Sequence, residues 1–236
     1  MAAVQLGRED IKMAFEVSKN STSKTIYYQL REEIINLVLV PGTNISEKEV
    51  SEKYNVSRTP VREAFVRLAQ EGLVHIYPQK GTVVSLIDLD AVEEGRFLRE
   101  HLERAVVKQA CEEFPQEKIF VLEMNLKFQK MYMQDYDPKK LFEADQEFHK
   151  IIFEACNKKR IWATINDTSA DFQRIRLLRL ITDFTWDNIY VQHKEILEAI
   201  KNKTPDRAEE VMKEHLNMVI FDKKQIKESN PSYFKE

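Results

Sequence analysis

The sequence predicts a mainly α-helical protein in two parts: an N-terminal unit of three helices and a β-hairpin, then an antiparallel bundle of six to seven helices. Three observations carry this expectation. Three of the five glycines fall within residues 24–81, each at a turn between short periodic segments. From Asp88 onward only Gly95 remains, and long segments with the 3.6-residue helical period replace strand patterns. Pro115, Pro138 and Thr204-Pro205 stand where new helices would begin, in the first turn, where proline's missing N–H costs nothing.

Taken in order, residues 1–22 show weak periodicity and few apolar anchors, and read as a flexible or loosely docked extension. Tyr28, Ile34, Ile35 and Val38 then give helical spacing up to Pro41-Gly42. Ser46-Glu47-Lys48-Glu49 is a capping box that opens a second helix. The stretch Asn55 to Ala64 is a turn delivering a third: Ser57 or Thr59 can serve as N-cap, Pro60 lies in the first turn, and Phe65, Leu68 and Ala69 continue inward. Gly72 ends that helix. Leu73–Tyr77 and Thr82–Leu86 read as strands around a Pro78-Gln79-Lys80-Gly81 tip. Three helices plus this hairpin make a winged helix-turn-helix over residues 23–87. Helices follow near 88–113, 115–134, 138–157, 160–182, 185–202 and 205–225, so 88–225 is read as an all-helical domain. Residues 226–236 are left as a polar, frayed tail.

The bulk properties limit the function classes. A 43% hydrophobic content over 236 residues supports a substantial core. No apolar run approaches the roughly 20 residues that span a bilayer. Arg8, Glu9, Asp10 and Lys12 break any signal-peptide core. Cys111 and Cys156 lack paired spacing and suit a reducing cytoplasm. The net charge of −3 argues against a generally basic nucleic-acid binder; within 24–81, eight Lys/Arg against seven Glu leave only +1. Any nucleic-acid affinity must come from where a few basic side chains point.

Those side chains lie at the third helix. Arg58 and Arg62 are four residues apart and share one face of its first turns. Arginines there can fork onto guanine edges or clamp phosphates, and the hydroxyls of Ser57 and Thr59 can bond phosphate oxygens. The combination points to DNA. Pro41-Gly42, Ile45, Glu47, Val50, Val56 to Ala64, Arg67-Leu68, Glu71 to Val74, Gly81 and Val83 closely resemble the GntR superfamily of bacterial transcription regulators. That resemblance implies that Lys48, Arg58, Thr59 and Arg62 face DNA, that Ser57 contacts phosphate, and that Gly81 carries the wing tip into the minor groove.

The second part carries polar residues on apolar faces. Phe142, Asp145, His149, Ile152 and Cys156 share one helical face, Ile189, His193, Ile196, Leu197 and Ile200 another, and Ala208, Val211, Met212, His215 and Val219 a third. Three of the five histidines and one aspartate, from three helices, thus point inward. A buried carboxylate needs a compensating charge, and a divalent metal supplies it while taking neutral imidazoles as ligands. Hydrogen-bonded core histidines are the plainer alternative for each taken alone. His75 and His101 read as surface residues, and Cys156 as packing.

The pattern Asp145-x-x-x-His149, His193 and His215-Leu216 resembles the metal-binding version of the FCD effector domain of FadR-type GntR regulators. The resemblance implies one zinc, nickel or manganese ion per chain with open positions for water or an effector carboxylate. The borderline donor set does not choose among the metals. Arg99-x-x-Leu102-Glu103 also fits the start of that domain, and Arg99 could hold an anionic effector by a bidentate contact. A surface Arg99–Glu103 pair is the alternative. Asn166, Arg174 and Arg176 are further cavity candidates. The expected protein is a homodimeric, cytoplasmic DNA-binding regulator, responsive to a small anion and not an enzyme. A metal-dependent hydrolase or lyase, and a regulator with a purely structural metal, are the rivals. Against the enzyme, no nucleophile motif or poised general base accompanies the Asp/His set.

Overall fold

The computed structural model describes residues 8–182 and 186–236, the side chains of residues 8–21 and 219–222 excepted. The chain divides into two compact units between Leu86 and Ile87, one residue before the expected boundary.

The first unit contains α1 (Arg8–Ile35), β1 (Asn44–Ile45), α2 (Glu47–Tyr54), α3 (Arg58–Gln70), β2 (Val74–Tyr77) and β3 (Gly81–Val84). Of the expected extension, residues 1–7 lie outside the described residues and Arg8 onward belongs to α1. The buried face of α1 also differs from the expected one. Ile26, Tyr27, Leu30, Ile34 and Ile35 are buried, whereas Tyr28 and Val38 are about half exposed, at 48% and 57%. The apolar stripe of α3 is regular: Val61, Ala64, Phe65 and Leu68 recur at helical spacing and are all buried. With Leu73 and Val84 they form the core of this unit.

Ser46 caps α2 as the capping box requires, its Oγ accepting from Glu49 N–H at 3.1 Å while Glu49 Oε2 accepts from Ser46 N–H at 3.1 Å. At α3 the N-cap position falls to Ser57 rather than Thr59, and its hydroxyl makes no capping hydrogen bond. The hairpin strands are antiparallel, with Val74 opposite Val84 and Tyr77 opposite Gly81. Gly81 has φ +108°, a backbone conformation that other residues adopt only with strain. A third strand, β1, pairs antiparallel with β3 through Asn44–Val83 and Ile45–Thr82. Two residues carry no period, so nothing in the sequence pattern marks it.

The second unit contains α4 (Leu89–Glu112), α5 (Gln116–Gln134), α6 (Pro138–Ala155), α7 (Lys159–Thr168), α8 (Ala170–Thr182), α9 (Asp187–Lys201) and α10 (Pro205–Ser229). Helix α4 packs against α10 and α8, α5 against α6 and α9, and α9 against α10. Pro138 and Pro205 occupy first-turn positions as expected, and Asp137 caps α6 by accepting from Lys140 N–H at 3.0 Å. None of the described helices is long and apolar enough to cross a membrane.

Two expectations for this unit are corrected. The segment 160–182 is not one helix but two, broken at Ser169, whose hydroxyl donates back to the Ile165 carbonyl at 2.6 Å. This local bond competes with continuation of the helix. Gly95 on α4 meets the break closely: a Cβ there would lie 3.0 Å from Phe172 Cβ and 3.2 Å from Ser169 Cβ. The tail is also docked rather than frayed. Helix α10 continues to Ser229, Phe234 is buried, and Ile87 bonds Tyr233 and Lys235 through both backbone groups, at 2.8 and 3.0 Å. One aromatic anchor and a strand-like bridge hold a segment whose composition is otherwise polar.

Candidate DNA-reading face and metal centre

In the first unit, Ser57, Arg58 and Thr59 are exposed at the start of α3, and Lys48 is exposed on α2, 3.9 Å from Glu52. Arg62 is exposed but engaged: its Nε and Nη2 donate to Glu47 Oε1 and Oε2 at 2.9 and 2.8 Å. That pair holds the Glu47 carboxyl below its ordinary pKa. Gly81 stands exposed at the hairpin turn with open space around its Cα. The first-turn residues of α3 and the hairpin tip are thus exposed on the winged unit.

In the second unit, α6, α9 and α10 bring Asp145, His149, His193 and His215 together in the core. All four are buried, and one donor atom from each lies within 4.8 Å of the others. Asp145 Oδ1 is 3.9 Å from His149 Nε2, 3.6 Å from His193 Nε2 and 3.8 Å from His215 Nε2; the His149 and His215 Nε2 atoms are 3.2 Å apart. Ligand atoms at ~2.1 Å from one tetrahedral ion would be about 3.4 Å apart. His193 Nε2 is buried and has no hydrogen-bond partner, a state that ordinarily costs about 1–3 kcal/mol. An ion between the four groups removes that cost, so the residues fit a metal.

The far side of each ligand is held as well. His149 Nδ1 lies 2.5 Å from Glu103 Oε2, His193 Nδ1 is 2.8 Å from Gln129 Oε1, and His215 Nδ1 is 3.2 Å from Gln192 Oε1. Contacts of this kind orient ligating imidazoles and leave Nε2 to the metal. The Phe148 ring stacks on His193 at 4.2 Å, and Arg176 Nη2 donates to Asp145 Oδ2. Burial disfavours the charged imidazole and takes His193 down to about 3, with His215 also well below its usual value. Both are neutral, as ligands must be. Burial opposes ionisation of Asp145 too, yet Arg176, which donates to it, holds its carboxyl below the ordinary range. Glu103 is similarly lowered to about 2, with Arg99 and His149 outweighing burial.

Arg99 is neither a solvated surface residue nor an unencumbered cavity arginine. It pairs with Glu103, both at 1% side-chain exposure, and lies 5.5 Å over Trp162. Arg174 is buried and paired with Asp171, and the Asn166 carbonyl accepts from Gln173 Nε2 at 3.0 Å. Cys156 packs, its thiol facing the Val106 carbonyl, and His75 and His101 are exposed. Glu103, Gln129, Gln146 and Gln192 were missed as supporting groups. Only Glu103 carried a signal, its i+4 spacing from Arg99. Beside the ligands lies a cavity of about 20 Å³ lined by Asp145, Arg176, Arg179, Leu180, Ile189, His215 and Met218, room for a water-sized occupant.

Residues 22–84 match the family of bacterial regulatory proteins described as gntR, and residues 96–218 match the FCD domain. The chain is 34% identical over 227 residues to the HTH-type transcriptional repressor RspR of Escherichia coli strain K12, covering 95% of this chain and 100% of that protein. It belongs to the GntR family of transcription regulators. The gluconate operon transcriptional repressor of Bacillus subtilis strain 168 is 30% identical over 211 residues, covering 85% of this chain and 84% of its own. Among solved structures, E. coli McbR/YncC has the same fold, with a TM-score of 0.77 at 19% identity over 86% of this chain and 97% of that one. As a GntR-family regulator the chain binds DNA through its winged unit. Its family and relatives are transcription regulators rather than enzymes, which removes the hydrolase and lyase reading.

Proposed function

We propose that this GntR regulator is a homodimeric cytoplasmic repressor whose operator affinity is set by a small carboxylate effector bound beside a metal ion in its FCD domain. The observation that carries the reading is the convergence of Asp145, His149, His193 and His215, with the buried His193 Nε2 left without a hydrogen-bond partner. Zinc suits three imidazoles and one carboxylate; nickel and manganese are the alternatives. When bound, the ion supplies a positive charge and open positions for an anion.

On the DNA side, Arg58 and Arg62 read base edges or phosphates, Ser57, Thr59 and Lys48 hold the backbone, and Gly81 lets the wing enter the minor groove. A two-fold dimer places paired α3 helices on half-sites about 34 Å apart or otherwise matched to its geometry. The effector must bind one arrangement of the dimer better than the other, because only a differential affinity can shift DNA binding.

The test has two measurements on protein purified without chelator. Elemental analysis should find about one zinc, nickel or manganese per chain, and operator binding should weaken when an organic acid is added to the metal-loaded protein. Metal-free protein at full stability would refute the centre. Metal-loaded protein with operator affinity indifferent to every acid tried would leave the ion a structural role.

A further inference from the structure

Two buried guanidinium groups share one neutral oxygen beside the metal centre. Arg99 Nη1 on α4 and Arg176 Nη1 on α8 both donate to Gln146 Oε1 on α6, at 3.4 and 3.0 Å. Arg99 Nη2 is buried with no hydrogen-bond acceptor, and Arg176 reaches Asp145 through its other terminal nitrogen. Arg99 also pairs with Glu103, so each guanidinium already has one carboxylate and shares Gln146 as a neutral third group. A carboxylamide oxygen carries only a partial charge. A carboxylate oxygen in its place would make the same contacts as charge-assisted bonds, roughly twice as strong, and its second oxygen could accept from the unpartnered Nη2.

We propose that Gln146 is an internal placeholder for an effector carboxylate, occupying an anion seat between Arg99 and Arg176 until the effector displaces it. This rests on the carboxylate reading above and specifies where the acid's anionic end sits. The orientation of the amide follows from its other bond, because Gln146 Nε2 donates to Gln173 Oε1 on α8 at 3.1 Å. Gln173 in turn donates to the Asn166 carbonyl at 3.0 Å. Gln146 is only half-buried, in contrast to the ligand Asp145 beside it. On the proposal, the side chain swings toward its exposed side when the effector arrives. Doing so breaks the Gln146–Gln173 tie between α6 and α8, so filling the seat changes how two helices of the bundle are joined. That is the differential contact a switch requires.

The proposal is tested with the full-length, zinc-loaded protein in three forms: parent, Gln146→Ala and Gln146→Glu. Crystals of each are soaked in bromide, a monovalent anion located by anomalous scattering. Gln146→Ala should show bromide between Arg99 and Arg176, and Gln146→Glu, which places its own carboxylate there, should show none. A Gln146→Ala crystal without bromide at that position overturns the proposal. Calorimetric titration with acetate, succinate and citrate then examines the effector. An acid that binds the parent should bind Gln146→Ala about tenfold more tightly and Gln146→Glu about tenfold more weakly, the scale of one charge-assisted contact. Equal affinities in all three proteins overturn the placeholder role. Bromide in the seat with no acid bound by any form upholds the anion seat and sinks the carboxylate effector instead.

Discussion

Arg62 and Glu47 form a two-point ion pair between the third and second helices of the winged unit, at 2.9 and 2.8 Å. The planar fork of the guanidinium matches the carboxylate, and the same fork matches the O6 and N7 atoms of guanine or a phosphate. Glu47 thus fixes the Arg62 fork in one orientation, and if Arg62 reads DNA as proposed, the two compete for it. Arg62→Ala should lower specific operator affinity by about 1–3 kcal/mol, with dimerisation and metal content unchanged. Fluorescence anisotropy with operator and scrambled duplexes checks this. Unchanged discrimination between the two would refute the role of Arg62.

Glu47→Gln removes the competitor and one negative charge from the DNA-facing side. Affinity for scrambled duplex should rise a fewfold and its salt dependence should steepen, because one repelling charge is gone. A variant with parental affinity for both duplexes at every salt concentration would show that Glu47 does not restrain Arg62.

His193→Ala should lose most of the bound metal and melt earlier, since a ligand is removed and Asp145 loses an adjacent partner. Elemental analysis and thermal melting are the measurements. His75→Ala, in the exposed hairpin, serves as the histidine control and should change neither quantity. Full metal occupancy in His193→Ala would contradict the four-residue site.

Arg99→Ala leaves Glu103 buried beside His149 without its guanidinium partner. Breaking a buried pair from one side costs about 3–5 kcal/mol, so a stability loss should accompany any change in effector response. Arg99→Lys keeps the charge but loses the fork and should separate the two effects: a smaller loss of melting temperature with a weakened acid response. If Arg99→Ala melts with the parent, the buried pair contributes nothing and its assignment is wrong.

Phe234→Ala should destabilise the second unit by about 3 kcal/mol or less, the low end for a buried aromatic at a chain terminus, and should speed amide hydrogen exchange at Ile87 and Lys235. Parental melting together with parental exchange at those two amides would show that the terminal segment does not anchor there.

The winged helix-turn-helix half was legible because its information is local. A capping box, a turn, two arginines one helical turn apart and a glycine-tipped hairpin are short-range patterns, and each follows from backbone geometry over a few residues. The convergence of Asp145, His149, His193 and His215 was legible for a related reason. Helical periodicity places Asp145 and His149 on one face and His193 and His215 on apolar faces of their own, and polar groups on apolar faces demand compensation. Val219, the last residue assigned to the α10 face, lies outside the described side chains.

Tertiary packing decided the rest. No spacing rule connects Glu103 to His149, Gln129 to His193 or Arg176 to Asp145, because these pairs join helices whose mutual rotation depends on the whole core. The same holds for Gln146, an unremarked polar residue in sequence that two arginines from other helices convert into the centre of a network. The buried face of α1, the break at Ser169 and the docked Phe234 are likewise consequences of what each segment meets, not of what it contains. By itself the sequence determined which residue types face inward and which segments turn. Only the folded chain determined their partners, since burial and low dielectric give a polar contact its energy and exist only once distant helices have closed around it.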